Sequence, residues 1–379
     1  MVNGTEGMLG HFRSPRIPFD LRCLLLAAGG FLVMGLANEG LAWLFGTESP
    51  LGYIFARLAN ELGRIAFFGE AFRYSIQSIR ESADPGALAW YQTLFTVFIF
   101  LVVWGTFGGA ILRTAALRLT RDEPLTLKQG LAFGFGNVKD FLLAPALVAL
   151  IVGFFALCNM LAGLLAGIPI LGTYVLVLIF VPLALISTLC LVMAALGGIV
   201  GFPLMWSGLS VEVNGPLEAF SRAFSYLFAR PLQFLFSYLL LFLLMSVVLY
   251  VGDHFQAAAR ETIGAGVGVW NSDLQAAIGG ADTDLDGLDW FAYQVTWFLV
   301  ALCGVLFKGY AIYVFFGGSA SLYLTLRREV DGTDEEEIFL GENDPGRPSS
   351  GDGGAARWVG DRFDKDKVES TDAPGKSET

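Results

Sequence analysis

The chain has 379 residues, of which 55% are hydrophobic and only 16% charged, and its mean hydropathy is +0.60. That composition excludes an ordinary soluble protein of this length and points to one embedded in a membrane. The net charge of −11 offers no basic face to nucleic acid, only His11 and His254 are histidines, and Cys23, Cys158, Cys190 and Cys303 all lie inside apolar runs, which excludes a disulfide framework.

Residues 1–20 form a short N-terminal segment, and the first apolar run follows at 21–45. A hydrocarbon core of about 30 Å takes roughly 20 helical residues, so this run is long enough to cross it. Arg13, Arg16 and Arg22 ahead of the leucines, with Gly35-Leu36-Ala37 behind, resemble a secretory signal; apolar residues continuing through Phe45 fit a retained span. Either reading leaves the topology of the rest unchanged. Residues 51–82 are too charged to span, yet Leu51, Phe55, Leu58, Leu62, Ile65, Phe72, Ile76 and Ile79 recur at helical spacing. They predict one or two amphipathic helices on the outer surface, broken near Gly69-Glu70.

The second run, 90–116, holds Phe107-Gly108-Gly109 near its end. After it, Thr126 and Gln129 make a capping box and Leu127, Leu131, Phe135, Val138 and Leu142 share one helical face, which predicts an interfacial helix weakened by Gly134 and Gly136. The third and fourth runs, 141–167 and 168–205, sit in a stretch without charge from 141 to 211, and Gly167, Pro169 and Gly172 predict the hairpin between them. The fourth contains Gly197-Gly198. A second interfacial helix follows, with Asn214 and Gly215 before Pro216 and a stripe of Leu217, Phe220, Phe224 and Leu227. The fifth run is 232–251, an outer acidic loop occupies 252–289, and the sixth run, 290–326, carries Phe316-Gly317-Gly318. Residues 331–379 hold 14 acidic and 6 basic side chains and little apolar content, so they predict a disordered acidic tail, with the short Trp358, Val359 and Phe363 cluster as the alternative to a featureless one, a docking point.

Twelve arginines and lysines then fall on the side that bears both termini, against Arg57, Arg64, Arg73, Arg80 and Arg260 on the other. The asymmetry places both termini in the cytoplasm. The chain also reuses a unit. Glycine pairs recur near the inner ends of the even spans (Gly108-Gly109, Gly197-Gly198, Gly317-Gly318), and Ala132, Phe133 and Phe135 align with Ala223, Phe224 and Tyr226. Each unit reads span, elbow, span. The paired glycines are expected to let membrane helices pack closely, and the elbows either turn the chain or offer a surface for a partner or a second copy.

Asp282, Asp284, Asp286 and Asp289 alternate around Gly287 like the first half of an EF-hand calcium loop. The bidentate position is Tyr293, however, so the choice lies between a Ca2+ site and an acidic cap for the sixth helix. Within the spans, Lys308 is expected near mid-membrane, where an ionisable group needs a partner, and Asn38 and Glu39 of the first span are the partners available. Arg113 reads as an interfacial anchor. No histidine lies in a span, and Ser319 and Ser321 are 11 and 13 residues from Lys308, about 16–20 Å along one helix, so no catalytic dyad is expected and the chain reads as non-enzymatic.

The glycine-rich span ends, the Pro-Leu segments leading into Ala-Phe elbows and the closing YLTLRREVDGTDEEEI resemble a family of uncharacterised bacterial six-span inner-membrane proteins. The span-elbow-span unit is more distantly similar to the membrane domain found with some glycerophosphodiester phosphodiesterases. The likeness covers roughly residues 88–340 and implies fold and location alone, since the phosphodiesterase catalytic domain is lacking. The expectation is an all-α, six-span bundle with amphipathic elbows, bound by membrane lipids. Its function is that of a non-catalytic scaffold or accessory subunit, or else a carrier or channel built on Lys308.

Overall fold

The computed structural model describes residues 20–46, 90–121, 125–166, 179, 181–213, 215–281, 283 and 285–333. They belong to the first of two units, Met1–Phe339 and Leu340–Thr379. Among the described residues all regular structure is helical: α1 (Leu21–Phe45), α2 (Trp90–Arg121), α3 (Leu127–Ala166), α4 (Val181–Glu212), α5 (Pro216–Ala229), α6 (Pro231–Gly268), α7 (Ser272–Ile278) and α8 (Gly287–Asp331). Six of these, all but α5 and α7, are long and apolar enough to cross a membrane. The segments 51–82 and 334–379, the hairpin around Pro169, and Asp282 and Asp284 lie outside the described residues.

The helix ends follow from local chemistry. Asp20 caps α1, its side chain accepting from the Arg22 amide at 3.0 Å, and Gly46 closes it at φ 63°. Thr126 Oγ1 donates to Gln129 Oε1 at 2.7 Å and the Gln129 amide donates back to Thr126 Oγ1 at 3.4 Å. Pro216 stands in the first turn of α5, where its missing amide leaves no bond unmade.

Several boundaries differ from the sequence expectation. The first elbow is not a separate helix: residues 127–166 run as one, because nothing between Leu127 and Pro145 breaks it. Gly134 and Gly136 are tolerated, and Gly134 is needed, since a Cβ there would collide with the Thr106 carbonyl of α2. Pro145 removes the amide that would bond the Phe141 carbonyl. The buried indole of Trp206, from α4, donates to that carbonyl instead at 3.0 Å. The second elbow, α5, does end: Arg230 precedes Pro231 and is driven out of helical geometry, to φ −137° and ψ 60°, before α6 starts. The fourth span extends past 205 to Glu212. The acidic stretch 252–289, expected as a loop on the outer side, is largely helical among the described residues, since α6 continues to Gly268 and α7 follows. The sixth span extends at both ends, to Gly287 and Asp331.

α8 is the central element. It packs most extensively on α6 and α1, and it meets α2, α4 and α5 through Phe316 and Tyr323 in its C-terminal half. The α6–α8 register is pinned by Leu241 against Gly318, Gly252 against Phe307 and Gln256 against Gly304, so the two helices are antiparallel. Burial is concentrated at the end that carries residues 20, 121, 127, 212, 231 and 331: Ile111, Leu112, Phe141, Leu204, Met205, Trp206, Tyr226 and Tyr323 are all buried there. Toward the opposite end α3 and α4 expose Leu150, Phe154, Met160, Leu164, Leu185, Ile186 and Ile199, an apolar surface of the kind that faces lipid.

Candidate functional site at the charged end

Among the described residues the densest polar cluster forms where the C-terminal ends of α4 and α8 meet α5. Glu212, the last residue of α4, is 5% exposed and has three partners from two other helices. Arg222 Nη1 of α5 lies 2.7 Å from its Oε1, Arg327 Nε of α8 at 3.0 Å, and the Tyr323 hydroxyl of α8 donates to it at 3.0 Å. Arg222 also bonds Glu218 at 2.6 Å and stands 3.6 Å from Asp331. The buried Tyr226 hydroxyl donates to Asp331. Two guanidinium groups thus meet three carboxylates, and the last residues of α8 are tied to the short helix α5.

The electrostatics follow from depth and charge. Burial opposes the Arg222 charge, but the hydrogen bond to Glu218 and the charge of Glu212 outweigh it, so its pKa is raised. Burial, together with the hydrogen bond to Asp331, pushes the Tyr226 hydroxyl above the ordinary tyrosine value. Immediately after Glu212 the backbone turns through Val213 at φ 56° and Gly215 at φ 96°. A β-branched residue in the left-handed region is strained, and here the anchored Glu212 on one side and Pro216 on the other hold it.

Arg113 is not the interfacial anchor its position suggests. It is fully buried, and its Nη1 donates to the carbonyls of Ser210 at 2.9 Å and Val211 at 3.2 Å, with its guanidinium 5.4 Å from the Phe133 ring centroid. It therefore caps the C-terminus of α4, where carbonyls lack helical partners and a cation is favoured. Asp20 is joined to Arg118 at 2.7 Å at the same end of the bundle.

The paired glycines receive side chains from neighbouring helices. A Cβ at Gly108 would stand 2.7 Å from Phe316, at Gly109 2.6 Å from Phe141, and at Gly197 2.6 Å from Phe224; Gly198 meets Val148 and Gly318 meets Leu241. Gly317 is buried. Most of these are ring-into-groove contacts rather than backbone-to-backbone ones.

Lys308 is not joined to Glu39. Its Nζ lies 5.5 Å from the Phe31 ring centroid, and among the described residues it has no ion-pair partner. Register is the reason. Gly309 abuts Ala28, where a Cβ would lie 3.0 Å from the Ala28 amide nitrogen, so Lys308 is level with Phe31. Glu39 lies eight residues, about 12 Å, farther along α1, and it is exposed. Asn38 is half-buried beside it. Of the aspartate loop, Asp286 stands at the N-terminus of α8 without a side-chain capping bond, and Asp289 is in its first turn. Among the described residues no three metal-ligating side chains converge.

Glu212 was not singled out from sequence, although one signal was present: it is the first charged residue after the run 141–211. Tyr226 and Tyr323 carry no comparable signal. No family model matches this chain, no curated protein is significantly similar to it, and no solved structure matches its fold.

Proposed function

We propose that this chain is a non-catalytic scaffold or accessory subunit of the cytoplasmic membrane, with both termini inside the cell. The observation that carries this reading is the Glu212 network. It fastens the elbow α5 and the end of α8 into one rigid platform, and the acidic stretch from Asp334 begins three residues past that anchor. Buried hydroxyls support the same reading, since Thr96, Thr106, Thr114, Ser207, Ser210 and Ser319 each donate to a carbonyl four residues earlier in their own helix. Their hydrogen atoms are used in the helix backbone, not along a path for a solute. The excess of arginine and lysine on the side that bears both termini supports the orientation.

The test is native mass spectrometry of the protein taken from its own membrane in lipid nanodiscs. A stoichiometric protein partner, lost on removal of residues 334–379 or on Arg222→Ala, is the expected result. A chain that emerges alone, in any copy number, overturns it. The lack of an ion-pair partner at Lys308 among the described residues favours a second reading, a carrier for a small solute or lipid. In that case Lys308→Met abolishes transport in proteoliposomes while the protein still folds. Calcium at Asp282, Asp284, Asp286 and Asp289 is tested by titration calorimetry, with Asp284→Asn as the control that removes the heat.

A further inference from the structure

Two opposite charges outside the Glu212 network lie level with each other on touching helices. Gly252 of α6 abuts Phe307 of α8, where a Cβ would come within 2.6 Å of the Phe307 Cβ, and the Phe255 and Phe307 rings pack with centroids 5.5 Å apart. The next residue on each helix is charged: Asp253 and Lys308. Because the helices are antiparallel, one step of about 100° on each turns both side chains to the same side of the pair. Glycine at the contact brings the axes to about 8 Å, so Asp253 and Lys308 stand on the same side of a closely packed helix pair.

The two do not neutralise each other. Among the described residues neither Asp253 nor Lys308 forms an ion pair, although both are half-buried. The ammonium lies over the Phe31 ring of α1. A cation–π contact holds a cation in place without cancelling its charge. The depth is informative as well. Asp253 follows directly on the twenty-residue apolar run 232–251 of α6 and opens a polar stretch with His254, Gln256, Arg260 and Glu261. Twenty helical residues span about 30 Å, the thickness of the hydrocarbon core, so on α6 this pair stands where the core gives way to headgroups at the end opposite the Glu212 cluster. A half-buried carboxylate and ammonium at that depth face the headgroup layer, where a ligand that carries both opposite charges can meet both.

We propose that Asp253 and Lys308 form a binding site for a zwitterion with a primary ammonium and a phosphate, the ammonium donating to the Asp253 carboxylate and the phosphate accepting from Lys308, with Phe31 as one apolar wall. Phosphatidylethanolamine supplies that chemistry from the bilayer and phosphoethanolamine supplies it from solution. The site is independent of the scaffold reading, since a scaffold and a carrier can each hold a lipid.

The full chain, reconstituted in nanodiscs of mixed phosphatidylethanolamine, phosphatidylcholine and phosphatidylglycerol, is examined by native mass spectrometry for retained lipid. Retention of phosphatidylethanolamine over the other two, reduced about tenfold or more in Asp253→Asn and in Lys308→Met, assigns the site to the headgroup. Saturable binding of soluble phosphoethanolamine with no lipid preference, lost in the same variants, supports the site with a solute as its source. If either variant fails to fold, Asp253→Glu and Lys308→Arg, which keep both charges, should retain the preference. Equal retention of the three lipids by the wild-type chain together with no phosphoethanolamine binding overturns the proposal. So does a preference that both charge-removing variants keep.

Discussion

At Glu212 a single carboxylate accepts hydrogen bonds from Arg222 and Tyr323 and is ion-paired with Arg327, and its neighbours differ sharply in exposure. Glu212→Gln preserves shape but leaves Arg222 and Arg327 without their shared buried anion, so a loss of about 3 kcal/mol in unfolding free energy is expected by thermal or denaturant unfolding in detergent. Glu218→Gln removes a partner that is 41% exposed and should cost less than about 1 kcal/mol. Tyr226 gives a pH dependence with a definite sign. Its folded pKa is raised above the ordinary 10.0, so the protonated hydroxyl is favoured by folding; that contribution is complete below pH 10 and is lost as pH rises toward the folded value. Tyr226→Phe should therefore be less stable than wild type at neutral pH, and the gap should narrow above pH 10 in melting curves taken from pH 8 upward. These residues were only partly readable beforehand. Arg222 and Arg327 were visible as positive charge on one side of the membrane, but sequence spacing does not say that residues 212, 222, 323 and 327 share one point in space.

Helix lengths were readable to the extent that breakers are local. Pro231 stops the chain at Arg230, and Asp20 and Gly46 bound α1, because each acts on its own backbone. Continuity was not readable where it depends on a neighbour. Pro145 sits inside α3 because Trp206, sixty-one residues away, donates to the carbonyl that Pro145 leaves free. Gly134 reads as a weak point in a helix, yet it is where α3 crosses α2 closest. Gly134→Ala should thus destabilise the protein by about 1–3 kcal/mol through overpacking. Gly136→Ala, two residues on with open space around it, should stabilise it by about 0.5–1 kcal/mol through helix propensity. Thermal unfolding of the two variants side by side checks both signs, and equal effects would contradict the packing assigned to Gly134.

For the whole molecule the register between helices is the controlling quantity. The contact of Gly309 with Ala28 separates Lys308 from Glu39, so a double-mutant cycle between Lys308→Met and Glu39→Gln should show coupling below about 0.5 kcal/mol, whereas a direct ion pair would exceed it. Apolar run length and composition were enough to mark out a helical chain with six segments long and apolar enough to cross a bilayer, because crossing imposes a length and an apolar surface on each segment independently. Partnership was decided by packing. Lys308 against Phe31, Arg113 against the end of α4, Asp253 level with Lys308, and Glu212 between two arginines all depend on how helices slide and rotate against one another. That is set by which glycine admits which side chain across an interface, a property of two distant segments together that hydropathy along one chain does not contain.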